Sequence, residues 1–291
     1  MALLGKMSVR KQPVGGDVAA SVSATGTPMN GRREATLFIH GYNNNQKEAD
    51  GSFDALSNDL NAISPATDFG LFGFYWPGDT HIKIISALSY PVELGPAKDS
   101  ATRLFEFLRG LSGPGGTPMV VRIVAHSLGC RLTLELLQRF LQSMQQIQVV
   151  FGSISLMAAA VPVGKAQRDG EFGAAIQAVK SQALYSTVDR VLQLAFPLGE
   201  TAAGDGFFPQ AVGRHGNPAI WSGPALRMNY AHGDYWSGKE SASAVAAFLG
   251  APVHPLPVGN NIAVHDTPVS DGIHDRDLPP AGELITAGIF G

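Results

Sequence analysis

The sequence predicts an α/β fold, a mostly parallel sheet with helices on both faces. Three observations predict it. Apolar runs of strand length alternate with stretches of helical period across residues 34–250. The runs are apolar throughout rather than alternately polar, as strands covered on both faces must be. The polar residues able to carry chemistry stand directly after such runs, and sheets of this kind form sites at the carboxyl ends of their strands.

Residues 1–33 are rich in Gly, Ser, Ala and Thr without a sustained period and read as an irregular surface segment. Residues 35–39 form the first apolar strand, which runs into His40-Gly41-Tyr42-Asn43-Asn44-Asn45. A helix follows, with Phe53, Leu56, Leu60 and Ile63 at helical spacing. Residues 70–76 make a second strand, stopped by Pro77-Gly78-Asp79. Across 80–96, Pro91 and Pro96 argue against one long helix. A clear helix covers 97–111, with Ala101, Leu104, Phe105 and Leu108 on one face, and Gly113-Pro114-Gly115-Gly116 ends it. Strand 120–124 then leads through Ala125-His126-Ser127-Leu128-Gly129 into another helix.

Further strands are expected at 148–157 and 183–186, with a loop at 161–168 and a helix at 171–179 between them. Thr187-Val188-Asp189-Arg190 opens a brief helical turn, and 197–224 is the longest irregular stretch. A last strand at 226–230 ends at Ala231-His232-Gly233-Asp234-Tyr235-Trp236, and a helix at 241–249 closes the domain. Residues 251–291 are rich in Pro and Gly and read as a tail on the surface, able to cover a pocket or to mediate a homo-oligomer.

With 45% hydrophobic and 15% charged residues, a chain of 291 residues buries a large core and is not disordered. A net charge of −3 gives no basic footprint for nucleic acid. The lone Cys130 allows no internal disulfide, fits a reducing compartment and reads as a packing residue. No apolar run has the length of an integral membrane segment and the first residues lack a secretory core, which points to a cytoplasmic protein. No Cys/His spacing suggests a metal, and no glycine-rich fingerprint suggests a nucleotide, so no cofactor is expected.

The strand–Ser127–helix junction has the form of a nucleophile elbow. Ala125 and Gly129 supply small neighbours where strand and helix approach, and the helix start aims free N–H groups at any negative charge beside the hydroxyl. Ser-x-Gly alone carries little weight among 34 glycines. It recurs at Ser270-Asp271-Gly272, where Pro268 before and Pro279-Pro280 after fit neither strand nor helix.

The elbow, the His-Gly loop and the late Asp and His resemble the serine-hydrolase branch of the α/β-hydrolase superfamily. The stretch Phe38-Ile39-His40-Gly41-Tyr42-Asn43-Asn44 resembles an uncharacterised bacterial group within it, and the resemblance covers about residues 36–250. It implies the chain order nucleophile, acid, histidine and a short or absent cap. His232 follows a strand, precedes the last helix and lies downstream of the acid, which makes it the candidate base among eight histidines. His126 adjoins Ser127 and points away from it, His40 suits the loop, and His215, His254, His265 and His274 read as surface residues. Asp189 stands where the family places its acid, although it also suits a helix N-cap; Asp205 and Asp234 are the fallbacks. The oxyanion donors would be the N–H of Leu128 and, by resemblance, that of Tyr42. His40, Asn43, Trp76 and Trp236 are candidate pocket residues, with core or turn roles equally open. The expected activity is hydrolysis of a small-molecule ester through an acyl-enzyme. A thioesterase or amidase on the same triad, and a non-catalytic binding module of this fold, are the alternatives.

Overall fold

The computed structural model describes residues 2–79, 90–204, 206–218, 221 and 223–250, with only the backbone described at 90–93. The expected tail at 251–291, the start of the ambiguous stretch at 80–89, and Asp205 lie outside them. Strands β1 (Gly5–Arg10), β2 (Val18–Gly26) and β3 (Glu34–Ile39) come first, then α1 (Gln46–Ile63), β4 (Leu71–Tyr75) and α2 (Tyr90–Leu108). Next come β5 (Met119–His126), α3 (Leu128–Gln142), β6 (Val149–Met157), α4 (Val163–Ala166) and α5 (Gly173–Gln177). The order closes with β7 (Lys180–Tyr185), α6 (Phe196–Ala202), α7 (Val212–His215), β8 (Ala225–Arg227) and α8 (Lys239–Leu249).

The strands form one sheet in the order β2-β1-β4-β3-β5-β6-β7-β8. Among the described strands of this sheet, β2 alone runs antiparallel to its neighbour and the other pairings are parallel. Crossovers between parallel strands are right-handed, so the direction of each step decides which face its helix covers. From β3 the chain steps to β4 on one side, and from β4 it steps back across to β5 and onward. Helix α1 therefore lies on one face and α2 and α3 on the other. The packing agrees, with α1 against α8, and α2 against α3 and α6. The direction of winding reverses between β3 and β5, and crevices open at such a point.

The central strands and helices read from their periods are present; the last strand, expected at 226–230, ends at Arg227 as β8, and four further expectations change. Residues 1–33 are not irregular, since they supply the β1–β2 hairpin at the sheet edge. Met7 and Val9 alternate inward there, 2% and 0% exposed, over too short a run to stand out in a Ser- and Ala-rich stretch. Helix α2 begins at Tyr90 with both prolines inside it. Pro91 sits in the first turn, where no N–H is needed, and Pro96 removes one bond from a helix that tertiary packing sustains. Ile63, expected on the buried face of α1, is 43% exposed at its last position, whereas Phe53, Leu56 and Leu60 are buried. The stretches read as loops at 161–168 and 197–224 contain the short helices α4, α6 and α7. Among the described residues, no helix is long and apolar enough to cross a membrane.

Candidate active site

Ser127 joins β5 to α3 with φ 53° and ψ −123°, a conformation that L-residues avoid and that costs about 1–3 kcal/mol where it occurs. Main-chain bonds hold it there. Its N–H donates to the Met157 carbonyl at 2.9 Å, and its carbonyl accepts from Cys130 at 3.0 Å and Ala160 at 3.2 Å. Gly129 is needed for a reason more specific than strand–helix proximity. A Cβ there would lie 2.4 Å from the His40 carbonyl oxygen, so the glycine makes room for the end of the neighbouring strand β3. Gly41 does the same from the other side, because its Cβ would lie 2.8 Å from both Ser127 Cβ and His126 Nδ1. The loops after β3 and β5 thus touch at the reversal point of the sheet.

Asp189 and His232 arrive from the ends of β7 and β8. Ser186 ties the two loops together, its hydroxyl donating to the Tyr230 carbonyl at 2.8 Å. His232 Nδ1 lies 2.7 Å from Asp189 Oδ2, and its Nε2 lies 2.9 Å from Ser127 Oγ. A carboxylate can only accept, so Nδ1 carries the proton and Nε2 is left to accept the Ser127 O–H. The Asp189 side chain is fully buried, Ser127 is 5% exposed, and the His232 side chain is 18% exposed. Asp189 also caps the turn that follows it, through its other oxygen, where Oδ1 accepts the Leu192 N–H at 2.9 Å. One carboxylate serves both partners because each takes a different oxygen.

His126 and His40 are both buried and held neutral. The Nε2–H of His126 donates to the His232 carbonyl at 2.7 Å, which leaves Nδ1 unprotonated and, among the described atoms, without a partner. Burial, then the neighbouring His232, pushes its pKa down to about 3. His40 Nε2 accepts the Trp76 N–H at 3.2 Å, so its Nδ1 carries the proton and donates to the Gly41 carbonyl at 2.9 Å. Burial lowers its pKa to about 4. Asn44 Nδ2 donates to the Tyr42 carbonyl at 3.0 Å and reaches the Gly41 carbonyl at 3.5 Å. Peptide planarity turns the Tyr42 N–H away from the Gly41 carbonyl that His40 pins. The Leu128 N–H opens α3 with no carbonyl one turn behind it.

The remaining candidates fall elsewhere. Trp76 is fully buried, stacked on His40 with ring centroids 5.7 Å apart, and its indole donates to the His40 carbonyl at 2.8 Å. Trp236 is 4% exposed and packs on Phe53, Phe38 and His126 beneath the elbow. Both tryptophans and His40 thus belong to the packed layer under the site rather than to an open wall. Asn43 is half-buried in the left-handed region at φ 60°, its N–H bonded to the Gly78 carbonyl at 2.6 Å. Asp234 is exposed and caps its own turn through the Ala231 N–H, and His215 is exposed at the end of α7. Cys130 is buried, its thiol pushed up by burial. Among the described residues no group of three or more His, Cys, Asp or Glu is placed to hold a metal.

Sequence reasoning missed three features, namely the contact of Gly41 with Ser127, the bond from His126 to His232, and the residues of β1 that reach the loop after β3. Each is a long-range contact, and only the Gly after His40 left a local sign.

A mostly parallel sheet with a strained serine at the β5–α3 junction, and with carboxylate and imidazole at the ends of later strands, defines an α/β-hydrolase fold. The chain belongs to the family described as alpha/beta hydrolase of unknown function (DUF900), whose model matches residues 22–203. No match was found among curated proteins. Among solved structures, the chain resembles the product of the gene lin2722 of Listeria innocua, with 10% identity and a TM-score of 0.42 over 75% of this chain and 94% of that one. It also resembles TT1662 from Thermus thermophilus, with 14% identity and a TM-score of 0.41 over 78% and 93%. Alpha/beta hydrolase domain-containing protein 10 from mouse is similar at 13% identity, with a TM-score of 0.39 over 76% and 90%.

Proposed function

We propose that this α/β-hydrolase family member is a serine hydrolase that cleaves small-molecule carboxylic esters through an acyl-enzyme. The observation that carries the reading is the hydrogen-bonded line from Ser127 Oγ through His232 to Asp189 Oδ2, at 2.9 and 2.7 Å. Ser127 attacks the ester carbonyl carbon while His232 Nε2 takes the hydroxyl proton, and Asp189 stabilises the imidazolium that forms. The tetrahedral oxyanion is received by the N–H groups of Leu128 and Tyr42. Its collapse breaks the ester C–O bond, and His232 returns the proton to the departing alkoxide. Water then gives a proton to the same imidazole as it attacks the acyl carbonyl, and collapse of the second tetrahedral intermediate breaks the acyl C–Oγ bond, releasing the acid while His232 returns the proton to Ser127.

The test is turnover of a matched panel of p-nitrophenyl esters, thioesters and anilides by wild type and Ser127→Ala. Ester turnover lost in the variant is the expected result. Thioester or anilide turnover above ester turnover would move the substrate class while keeping the machinery. Full activity in a folded Ser127→Ala protein would remove the reading.

A further inference from the structure

Arg10 is the last residue of β1, and it is buried as a charge, with 1% of its side chain exposed; Asp79, in the segment after β4, has 6%. Taking two ions out of water costs several kcal/mol each unless hydrogen bonds satisfy their remaining protons and lone pairs. Here they do. Arg10 Nε donates to the Gln12 carbonyl at 3.1 Å, and Nη1 donates to the Trp76 carbonyl at 2.7 Å and the Asn44 carbonyl at 3.3 Å. Nη2 donates to the Pro13 carbonyl at 3.1 Å and to Asp79 Oδ1, while Asp79 Oδ2 accepts the Gly15 N–H at 2.8 Å. The proposed reaction uses neither group.

We infer that Arg10 and Asp79 are positioning residues that set the 41–45 loop against Ser127, and that the N-terminal hairpin is thereby part of the hydrolytic machinery. The inference rests on the serine-hydrolase reading above. Its geometry is short at every step. Arg10 holds the Asn44 carbonyl, and the Asn44 side chain holds the Tyr42 carbonyl. Arg10 also holds the Trp76 carbonyl, while the main-chain and indole N–H groups of Trp76 bond both ends of His40, which in turn pins the Gly41 carbonyl. Asn43 is tied to Gly78, next to Asp79. One guanidinium thus joins the three backbone segments whose spacing fixes where the Tyr42 N–H lies relative to Ser127 Oγ. Only a planar fork with five donors meets five acceptors at once, and a lysine ammonium has three.

The experiment compares wild type, Arg10→Lys, Asp79→Asn and Ser127→Ala by kcat, KM and thermal melting, each assayed where its melting curve shows a fully folded protein. A merely structural pair lowers the melting midpoint and leaves kcat per folded molecule unchanged. A positioning pair lowers kcat about ten-fold or more, since a misplacement near 1 Å costs up to about 10²-fold, and it leaves KM within about three-fold. Asp79→Asn, which keeps the acceptor, is expected to lose less than Arg10→Lys. Folded variants with wild-type kcat would overturn the inference, as would failure of both variants to fold at any temperature at which wild type is active. A wild type with no Ser127-dependent turnover would instead overturn the underlying reading.

Discussion

His126 Nε2–H donates to the main-chain carbonyl of His232 at 2.7 Å, so the residue before the proposed nucleophile anchors the backbone of its proposed base. Replacement by Phe keeps the ring volume and removes the donor. His126→Phe is expected to lower kcat about ten-fold or more through a misplaced imidazole. Leaving the His232 carbonyl unpaired should cost about 1–3 kcal/mol of stability. Steady-state kinetics alongside urea unfolding checks both.

The same residue makes stability depend on pH. His126 and His40 have folded-state pKa values near 3 and 4 against 6.5 for an unfolded histidine. Below pH 6.5 these two side chains bind protons in the unfolded chain that they do not bind in the native state, so their contribution to the unfolding free energy falls as pH falls and is flat above. Between pH 7 and 4.5 each histidine should cost about 2–3 kcal/mol. Urea unfolding at both values should show a smaller drop in His126→Phe than in wild type by about that amount. An equal drop would mean that His126 is not neutral in the fold.

Asp189 divides two tasks between its oxygens, with Oδ2 on His232 and Oδ1 on the Leu192 N–H. Asn keeps an acceptor for one and presents a donor or a neutral oxygen to the other. Asp189→Asn should lower kcat by about 10⁴, the loss seen when a triad carboxylate is amidated, because the imidazole is held in the wrong tautomer. Asp189→Ala should lose similar activity and in addition about 1 kcal/mol of stability with the cap. Kinetics and thermal melts on the pair separate the two tasks.

Gly41 has no room for a side chain. The Cβ of Gly41→Ala would lie 2.8 Å from Ser127 Cβ, so the loop must move away from the site. A lost oxyanion donor costs about 10²–10³ in kcat, and a loss of that order with KM little changed is the expected result. Gly129→Ala pushes instead against the His40 carbonyl, which is main chain and cannot swing aside. That variant should be destabilised as well as inactive.

The central strands β3 to β6 were legible because their runs are mostly apolar and each is followed by a helical period, whereas β7 opens with Lys180-Ser181-Gln182. The elbow was legible because strand, strained residue and helix are contiguous in sequence. Ser127 directly follows β5, whereas Asp189 and His232 lie four and five residues beyond the ends of β7 and β8, on loops that the carboxyl edge of the sheet brings together. The β1–β2 hairpin was not legible, because its inward residues are few and its antiparallel edge strand is half polar. Nor could the roles of Arg10 and His126 be read, because each is defined by main-chain carbonyls from remote loops, and a carbonyl leaves no mark in the sequence. Trp76 and Trp236 show the opposite difficulty. An aromatic residue after a strand looks the same in sequence whether it walls a pocket or roofs a core.

Whether Ser127 is an activated nucleophile is decided by intact-protein and peptide mass spectrometry after treatment with a fluorophosphonate, applied to wild type, Ser127→Ala and His232→Ala. A single adduct mapped to Ser127 in wild type, absent in Ser127→Ala and greatly slowed in His232→Ala, is the expected result. A folded wild-type protein that takes no adduct, or one that labels equally fast without His232, would contradict the claim that Ser127 is a nucleophile activated by that imidazole.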